Sequence, residues 1–400
     1  MADPTTATAA AAQAAPDQNG EVASQDWADV VQSPEGLPPL GQPLSEVETP
    51  ALIVDLDRME RSIQFVQEYC DRIGVRNRPH IKTHKVPAIG AQQVAAGAQG
   101  ITVQKLGEAE IFAEAGFDDV YLPYNLLGSA KLDRLRAFLD RFGDTVKLSL
   151  TCDSGLVAEG LSKVAVETGL TLEVGVECET GMGRVGVQTP HQAFDLALYI
   201  DRLPNLSFGG LMTYPAPMDE ETPVAFMGEA VQVFKRAGHP APEISMGGTP
   251  QLHWTQNVPG VTEHRPGTYI FHDRHSIERG KLWTLDDIAL TTHGTVVSRP
   301  MPDRAILDAG SKAITPETLG LDLLGHVVEF PEARLYAMSE EHGFVDLSDC
   351  PPDQRPQLGD RVSVISNHVC PTVNMSNFLV GVRNGAVEVV WPVDARGRVR

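Results

Sequence analysis

Cysteine is sparse and irregular in this chain. Cys70, Cys152, Cys178, Cys350 and Cys370 make an odd set of 5 with no CxxC pair. That excludes a disulfide framework and favours a reducing cytoplasm. Positive charge is also short, with 32 Lys and Arg against 53 Asp and Glu, a net −21. Nucleic acid and anionic membrane surfaces both need a basic footprint, so neither is an expected partner. The first residues, MADPTTATAAAAQAAPDQNG, lack a basic n-region and a long apolar core, so they read as neither secretory signal nor membrane anchor. No later stretch reaches membrane-spanning length without charges. No GxGxxG follows the first apolar run, which counts against a dinucleotide-binding sheet.

What is present is ample apolar material: 42% of 400 residues, enough for two domains or one large domain with an appendage. The Ala/Thr/Pro/Gln bias marks residues 1–45 as a mobile tail, with a short Ala-rich helix as the alternative. From Thr49 apolar β-branched runs alternate with helical periodicity. PALIVDLD, RPHIK, GITVQ, DDVYLPY, VKLSLTCD, TLEVGVE, LSFGGLMTY and PEISMGG read as eight strands, each with a helix after it. Near-continuous apolar strands alternating with helices indicate a parallel sheet covered by helices. The count fits an α/β fold of (β/α)8 TIM-type barrel class over 46–284; an open doubly wound sheet is the alternative. Over 285–400 short strands between turn residues replace helical periodicity, which indicates a C-terminal, mostly-β domain.

Functional groups of such barrels lie at the C-terminal ends of strands. Lys82 and His84 end the second run, Gln104 the third and Tyr214 the seventh, while Arg184 lies in the loop after the sixth. If RPHIKTHK is extended, His80, Lys82 and His84 share one face. Gly247-Gly248-Thr249 follows the eighth run, where glycines let backbone N–H groups approach an anion and a hydroxyl adds a donor; an ordinary turn is the plain alternative. A lysine inside a barrel with a phosphate loop at the rim suits a Schiff base to pyridoxal 5'-phosphate, since the amine must be partly desolvated to be nucleophilic. A solvated basic strand end is the other reading. In DRVSVISNHVC, His368 and Cys370 lie two apart and face the same way on an extended strand, which makes half of a divalent metal site of soft character. EEHG at 340–343 either adds a ligand or is a turn.

Taken in order, TPALIVDLD, RPHIKTHK, GITVQKLGEAE, GMGRVGV, GGTP, HRPGTYIFHD, RAILDAGSKA, EEHG and NHVCPTVN resemble the D-threonine aldolase and eukaryotic-type D-serine dehydratase family, over about residues 45 to 395. The resemblance implies a pyridoxal-phosphate barrel of the alanine racemase type with a β domain, working as a homodimer on D-β-hydroxy-α-amino acids. It implies Lys82 rather than Lys85 as the cofactor's anchor and Arg184 at the pyridine nitrogen. Gly247, Gly248 and Thr249 would hold the phosphate with Tyr269 close by, and Gln104 would line the cofactor. His368 and Cys370 would bind manganese, zinc, magnesium or cobalt.

The same resemblance implies a metal-assisted lyase of the D-threonine aldolase type, with dehydration of D-serine or D-threo-3-hydroxyaspartate as the alternative. Pro215 in TYPAPMDEE replaces the histidine aldolases carry after that tyrosine, so His84, Tyr214 or a metal-bound hydroxide must serve at the β-hydroxyl. Cys370 is shared with the dehydratases and the following PTVN is closer to the aldolases. A racemase needs a second base and no metal, and a non-catalytic cofactor-binding protein would be a lone barrel. The His368/Cys370 pair counts against both.

Overall fold

The computed structural model describes residues 37–400. In chain order the strands are β1 (Ala51–Asp55), β2 (Arg76–Asn77), β3 (Ile101–Thr102), β4 (Asp119–Leu122), β5 (Lys147–Cys152), β6 (Leu172–Cys178), β7 (Leu206–Thr213), β8 (Ile244–Met246) and β9 (Glu263–His264). They are followed by β10 (Leu290–Met301), β11 (Arg304–Leu307), β12 (Gly325–Val327), β13 (Arg334–Met338), β14 (Gly343–Asp346), β15 (Arg361–Ser366), β16 (Phe378–Arg383) and β17 (Ala386–Pro392). The helices used below are α1 (Leu56–Ile73), α2 (Pro87–Ala95), α3 (Leu106–Glu114), α4 (Ser129–Phe142), α5 (Gly155–Thr168), α6 (Pro190–Arg202), α7 (Glu221–Arg236), α8 (Arg274–Arg279) and α9 (Val369–Met375).

Strands β2 to β9 form an eight-stranded sheet of order β2-β9-β8-β7-β6-β5-β4-β3, with every pairing parallel. Its two ends meet through a parallel bridge between His80 and Thr102, where Thr102 N donates to Pro79 O at 2.8 Å. The expected barrel is therefore present, but it is built from a different set of strands. β1 pairs antiparallel with β10 and parallel with β16, in the second sheet. PALIVDLD is thus not a barrel strand; an apolar β-branched run buried on both faces looks alike in either sheet. The eighth barrel strand is Glu263–His264, which has no apolar signature, so the Gly-Gly-Thr loop follows the seventh barrel strand rather than the eighth.

The second sheet has nine strands in the order β11-β14-β13-β12-β15-β10-β1-β16-β17, mostly antiparallel. The expected tail reaches beyond the described residues over 1–36, and residues 37–45 are fixed rather than mobile. Gly41 N and Leu44 N donate to Val387 O and Gly385 O, and Leu37 and Leu44 pack on Ile53 and Val380. A buried cluster joins α1, Tyr269, Phe271, α9 and β17 at the junction of barrel and β domain. Among the described residues no helix is long and apolar enough to cross a membrane.

Local signals start the elements that carry the site. Asp55 caps α1 by accepting from Arg58 N at 2.9 Å, and Gly74 ends it with φ 68°. Pro87 opens α2, where a missing N–H does no harm.

Candidate active site

The stretch RPHIKTHK is extended only as far as His80. Residues Ile81–Thr83 form a 3₁₀ turn, so the expected shared face of His80, Lys82 and His84 is not formed. His80 starts the turn, its Nδ1 accepting from Lys82 N at 3.4 Å, and three residues per turn place successive alternate residues on different sides. Lys85 follows with φ 58° and leads the chain into α2.

This turn separates the two lysines by environment. Lys85 Nζ is 2.6 Å from Glu108 Oε1 of α3 in a buried pair, and Glu108 Oε2 accepts from Gln104 N at 2.6 Å. Lys82 is half-buried with no such carboxylate, and its Nζ lies 5.8 Å from the ring centre of Tyr214. Arg184 Cζ sits 5.1 Å from the same ring. Burial lowers the Lys82 pKa, and Arg184 and Arg265 add to the effect against Cys370 and Glu108. A neutral amine is therefore accessible at Lys82, whereas the Lys85 amine is occupied by its contact with Glu108.

His84 is fully buried and turned away from this cluster. Its Nδ1 accepts from Val86 N at 3.1 Å and its Nε2 lies 3.1 Å from Gln93 Oε1. Gln93 Nε2 donates to the Tyr269 hydroxyl at 2.7 Å. Burial drives His84 down to about 3, so it is a neutral structural histidine. The Tyr269 ring is likewise committed to the inter-domain core; its contribution to the loop is its backbone N, which donates to Thr249 Oγ1 at 2.9 Å. His80 Nε2 pairs with Gln104 Oε1 at 3.0 Å, which fixes Gln104 at the mouth.

The Gly247–Thr249 loop has the features of an anion cradle. Gly247 has φ 112°, and a Cβ there would run into the His264 ring. A Cβ on Gly248 would meet the Tyr214 ring at 2.7 Å and Gln251 Oε1 at 2.8 Å. Thr249 opens a 3₁₀ helix over Thr249–Asn257, in which Pro250 has no N–H and Gln251 N donates to Gly248 O at 3.1 Å, so the Thr249 N–H and hydroxyl are the donors this start can offer. Thr249 Oγ1 accepts from the N–H groups of Gly267 and Tyr269, so its own proton is free to point outward. Gln251 Oε1 is buried without a partner beside it.

The metal candidates are not both on a strand. β15 ends at Ser366, His368 is the residue before α9, and Cys370 is in the first turn of that helix. They lie two residues apart across the helix start, near enough for the charge of each to act on the other. Burial opposes both charges. The Cys370 thiol is still held low by His368 and Lys82, and the His368 imidazole is held up to about 10 by Cys370 and Glu317. Thr83 Oγ1 is 3.3 Å from Cys370 Sγ, next to Lys82. Asp273 steadies the helix, accepting from Val369 N at 3.0 Å. EEHG is the exposed β13–β14 turn, with Glu341 paired to Lys312, and takes no part.

Family membership follows from the chain itself: the model of the alanine racemase N-terminal domain matches residues 54–275. The chain belongs to that family. A putative serine dehydratase domain matches residues 289–382. D-threonine aldolase of Arthrobacter sp is 33% identical over 369 residues, covering 89% of this chain and 95% of the relative. 3-Hydroxy-D-aspartate aldolase of Paracoccus denitrificans (strain Pd 1222) is 33% identical, over 90% and 94%. The crystal structure of D-threonine aldolase from Filomicrobium marinum superposes with a TM-score of 0.83 at 29% identity, covering 91% of this chain and all of that one. The D-threo-3-hydroxyaspartate dehydratase of Delftia sp. HT23 superposes with a TM-score of 0.78 at 30% identity, over 88% and 98%. A D-threo-3-hydroxyaspartate dehydratase has also been solved with a histidine replaced by alanine, and with a cysteine two positions further on replaced, the latter in a metal-free form. Within the family this chain is therefore an enzyme of the D-threonine aldolase and D-hydroxyaspartate dehydratase group.

Two further residues belong to the site: Glu177, a strand-end candidate in the sequence, and Arg265, which carried no such signal. Arg265 follows the two-residue strand β9. Its Nη1 donates to Ser245 Oγ at 2.8 Å and its Nη2 to Thr213 O at 2.9 Å, inside the barrel. Glu177 is the penultimate residue of β6 and is buried beside Arg184 and Arg265. Burial pushes its carboxyl up to about 7 against those two cations. HRPGTYIFHD contains Arg265, but its alternation with Pro and Gly gives no hint of a strand end.

Proposed function

We propose that this protein is a pyridoxal 5'-phosphate- and divalent-metal-dependent lyase that cleaves D-β-hydroxy-α-amino acids between Cα and Cβ, giving glycine and an aldehyde. One observation supports the reading: Lys82, with no carboxylate paired to it among the described residues, sits on a 3₁₀ turn that neighbours the His368/Cys370 pair on one side and the segment bracing the Gly-Gly-Thr loop on the other. Thr83 of that turn touches Cys370, and the next contact on the other side is Gly267, whose N–H braces Thr249. A Cβ on Gly267 would lie 3.0 Å from Thr83 Oγ1, so the loop and the turn are in close packing.

The residues fit the cofactor. Gly247, Gly248 and Thr249 would hold its phosphate: the two glycines are pressed against the His264 and Tyr214 rings, which keeps their backbone free of side chain, and the Thr249 hydroxyl has a proton to give. Lys82 supplies an amine held partly neutral, Tyr214 a ring wall and Arg184 a cation at the far rim. The cofactor supplies an electron sink for charge developing at Cα, and an arginine at its ring nitrogen keeps that sink moderate. The residues also fit a cation, because a thiolate and an imidazole are good ligands for zinc. No third His, Cys, Asp or Glu completes a metal-holding group among the described residues, so further ligands would have to come from water or substrate oxygens. A divalent cation there would polarise the substrate's β-hydroxyl.

The chain's own residues divide the remaining work. Burial pushes the Tyr214 phenol up, against Arg184, so it stays protonated. His84 has both nitrogens committed. Neither serves as base at the β-hydroxyl, whereas Lys82 can take and return a proton at its Nζ. The supporting relatives are aldolases at 33% identity.

Dehydration to a keto acid and ammonia is the second reading. Cys370 favours it, two positions after His368 as in the dehydratase solved with those residue types replaced. The test is a product assay with added cofactor and Mn2+ on D-threonine, D-serine and D-threo-3-hydroxyaspartate, with L-isomers as controls. Glycine plus an aldehyde supports cleavage, keto acid plus ammonia supports dehydration, and turnover of L-isomers alone overturns both.

A further inference from the structure

The His368 centre holds one carboxylate that the chemistry above does not use. Glu317 Oε2 lies 2.6 Å from His368 Nδ1. It is not a third ligand, since no such group is arranged around an ion position among the described residues. Both side chains are part-exposed, at 29% and 48%, and an ordinary surface pair of that kind would matter little.

The backbone makes this pair different. Asn367 Nδ2 donates to Glu317 O at 3.1 Å and to Leu323 O at 2.8 Å, tying the loop to the residue before His368. Arg274 Nη1 holds the Asn367 amide at 2.7 Å. On the other side Glu317 N donates to Thr315 Oγ1, Thr315 N donates to Thr372 Oγ1, and Thr372 Oγ1 donates to His368 O. The loop carrying Glu317 is thus anchored on both flanks of the histidine. A free imidazole can bind a metal through either nitrogen and can rotate about χ2. With Nδ1 taken, Nε2 is the nitrogen left for Cys370 and for a cation.

We propose that Glu317 is a positioning residue of the metal centre: by accepting the Nδ1 proton of His368 it fixes the ring so that Nε2 and the Cys370 sulfur form one bidentate cation site. This rests on the metal reading above. A carboxylate behind a metal-binding histidine fixes the tautomer and raises ligand basicity, and removing it weakens metal binding by about 10–100-fold.

The experiment titrates Mn2+ calorimetrically into the cofactor-loaded chain, and records the visible absorption of its Co2+ form. Glu317→Ala binds Mn2+ about 10–100-fold more weakly than the parent. Glu317→Met, which fills the space without an acceptor, matches alanine and covers the case in which the smaller residue does not fold. Glu317→Gln keeps an acceptor oxygen and recovers most of the affinity. The Co2+ spectrum keeps its ligand number in all three variants. Parent-like Mn2+ binding by Glu317→Ala and Glu317→Met overturns the inference while the metal reading stands, and a spectrum that loses a ligand overturns it by making Glu317 a direct ligand. A parent chain that binds neither Mn2+ nor Co2+ overturns the inference and the metal reading together.

Discussion

Two arginines give a test of whether burial or partner number sets the worth of an ion pair here. Arg78 follows β2 at the seam where the barrel closes. Its Nε donates to Glu263 Oε2 of β9 at 2.6 Å and its Nη1 to Asp119 Oδ1 of β4 at 2.6 Å, with side-chain exposures of 9%, 3% and 23%. Arg383 on β16 has three carboxylates, Asp57, Glu60 and Glu388, but these are about half exposed. Arg78→Met keeps the volume and strands Glu263, which is left with Ser245 Oγ at 2.6 Å. Stranding a buried charge costs about 3–5 kcal/mol. Arg383→Met removes exposed pairs that are each worth roughly 0–1 kcal/mol and are screened by salt. Urea unfolding followed by far-UV circular dichroism, at low and high salt, compares the midpoints. Arg78→Met should fall much further, at both salt concentrations, and adding Glu263→Gln should restore part of the loss. A larger loss for Arg383→Met would refute the reasoning, because three partners would then outweigh burial.

Glu177 makes stability depend on pH. Its carboxyl is raised in the fold from 4.5 to about 7 by burial, so the folded chain binds more protons across that window and loses stability as pH rises through it. Glu177→Gln should abolish that decline; parallel Tm curves for the two chains between pH 5 and 8 would sink the claim. Gly247→Ala should weaken pyridoxal-phosphate binding at least about tenfold by strain and collision with His264, whereas Gly74→Ala, with φ 68° and open space around it, should lose only about 1 kcal/mol of stability and no affinity. Cofactor titration by fluorescence separates them, and equal affinity losses would remove the cradle. Lys82→Ala should abolish the visible absorbance of bound cofactor with the fold intact, while Lys85→Ala should keep that absorbance and lower Tm, since Glu108 is left unpaired. Absorbance that survives Lys82→Ala would move the anchor elsewhere.

The fold class was readable, and the candidate site residues could be picked out, because both rest on local chemistry. Glycines at positive φ, a lysine bounded by prolines and an NHxC spacing all survive translation from sequence to space. What was misread depended on partners far away in the chain. β1 is an apolar run whose sheet is chosen by β10 and β16, more than 200 residues on. β9 is two polar residues whose strand character comes only from the neighbours β2 and β8. His84 resembles a catalytic base in sequence, and only the location of Gln93 and Tyr269 shows it to be a buried strut. His368 and Cys370 met as expected, but across a helix start rather than along a strand.

The placement of β1 bears on how the molecule can be divided. Between β10 and β16, it splits the nine-stranded sheet into a block of six strands and a hairpin of two. Its own chain then runs straight into α1, which packs against Tyr269 and Phe271 of the barrel's last loop. The β half cannot be transplanted, shuffled or recombined as the piece after residue 284, because that piece has no central strand and would present two raw edges to solvent. Any viable hybrid between relatives of this architecture must carry residues 51–55 with the C-terminal half, so a crossover in the chain has to be made twice.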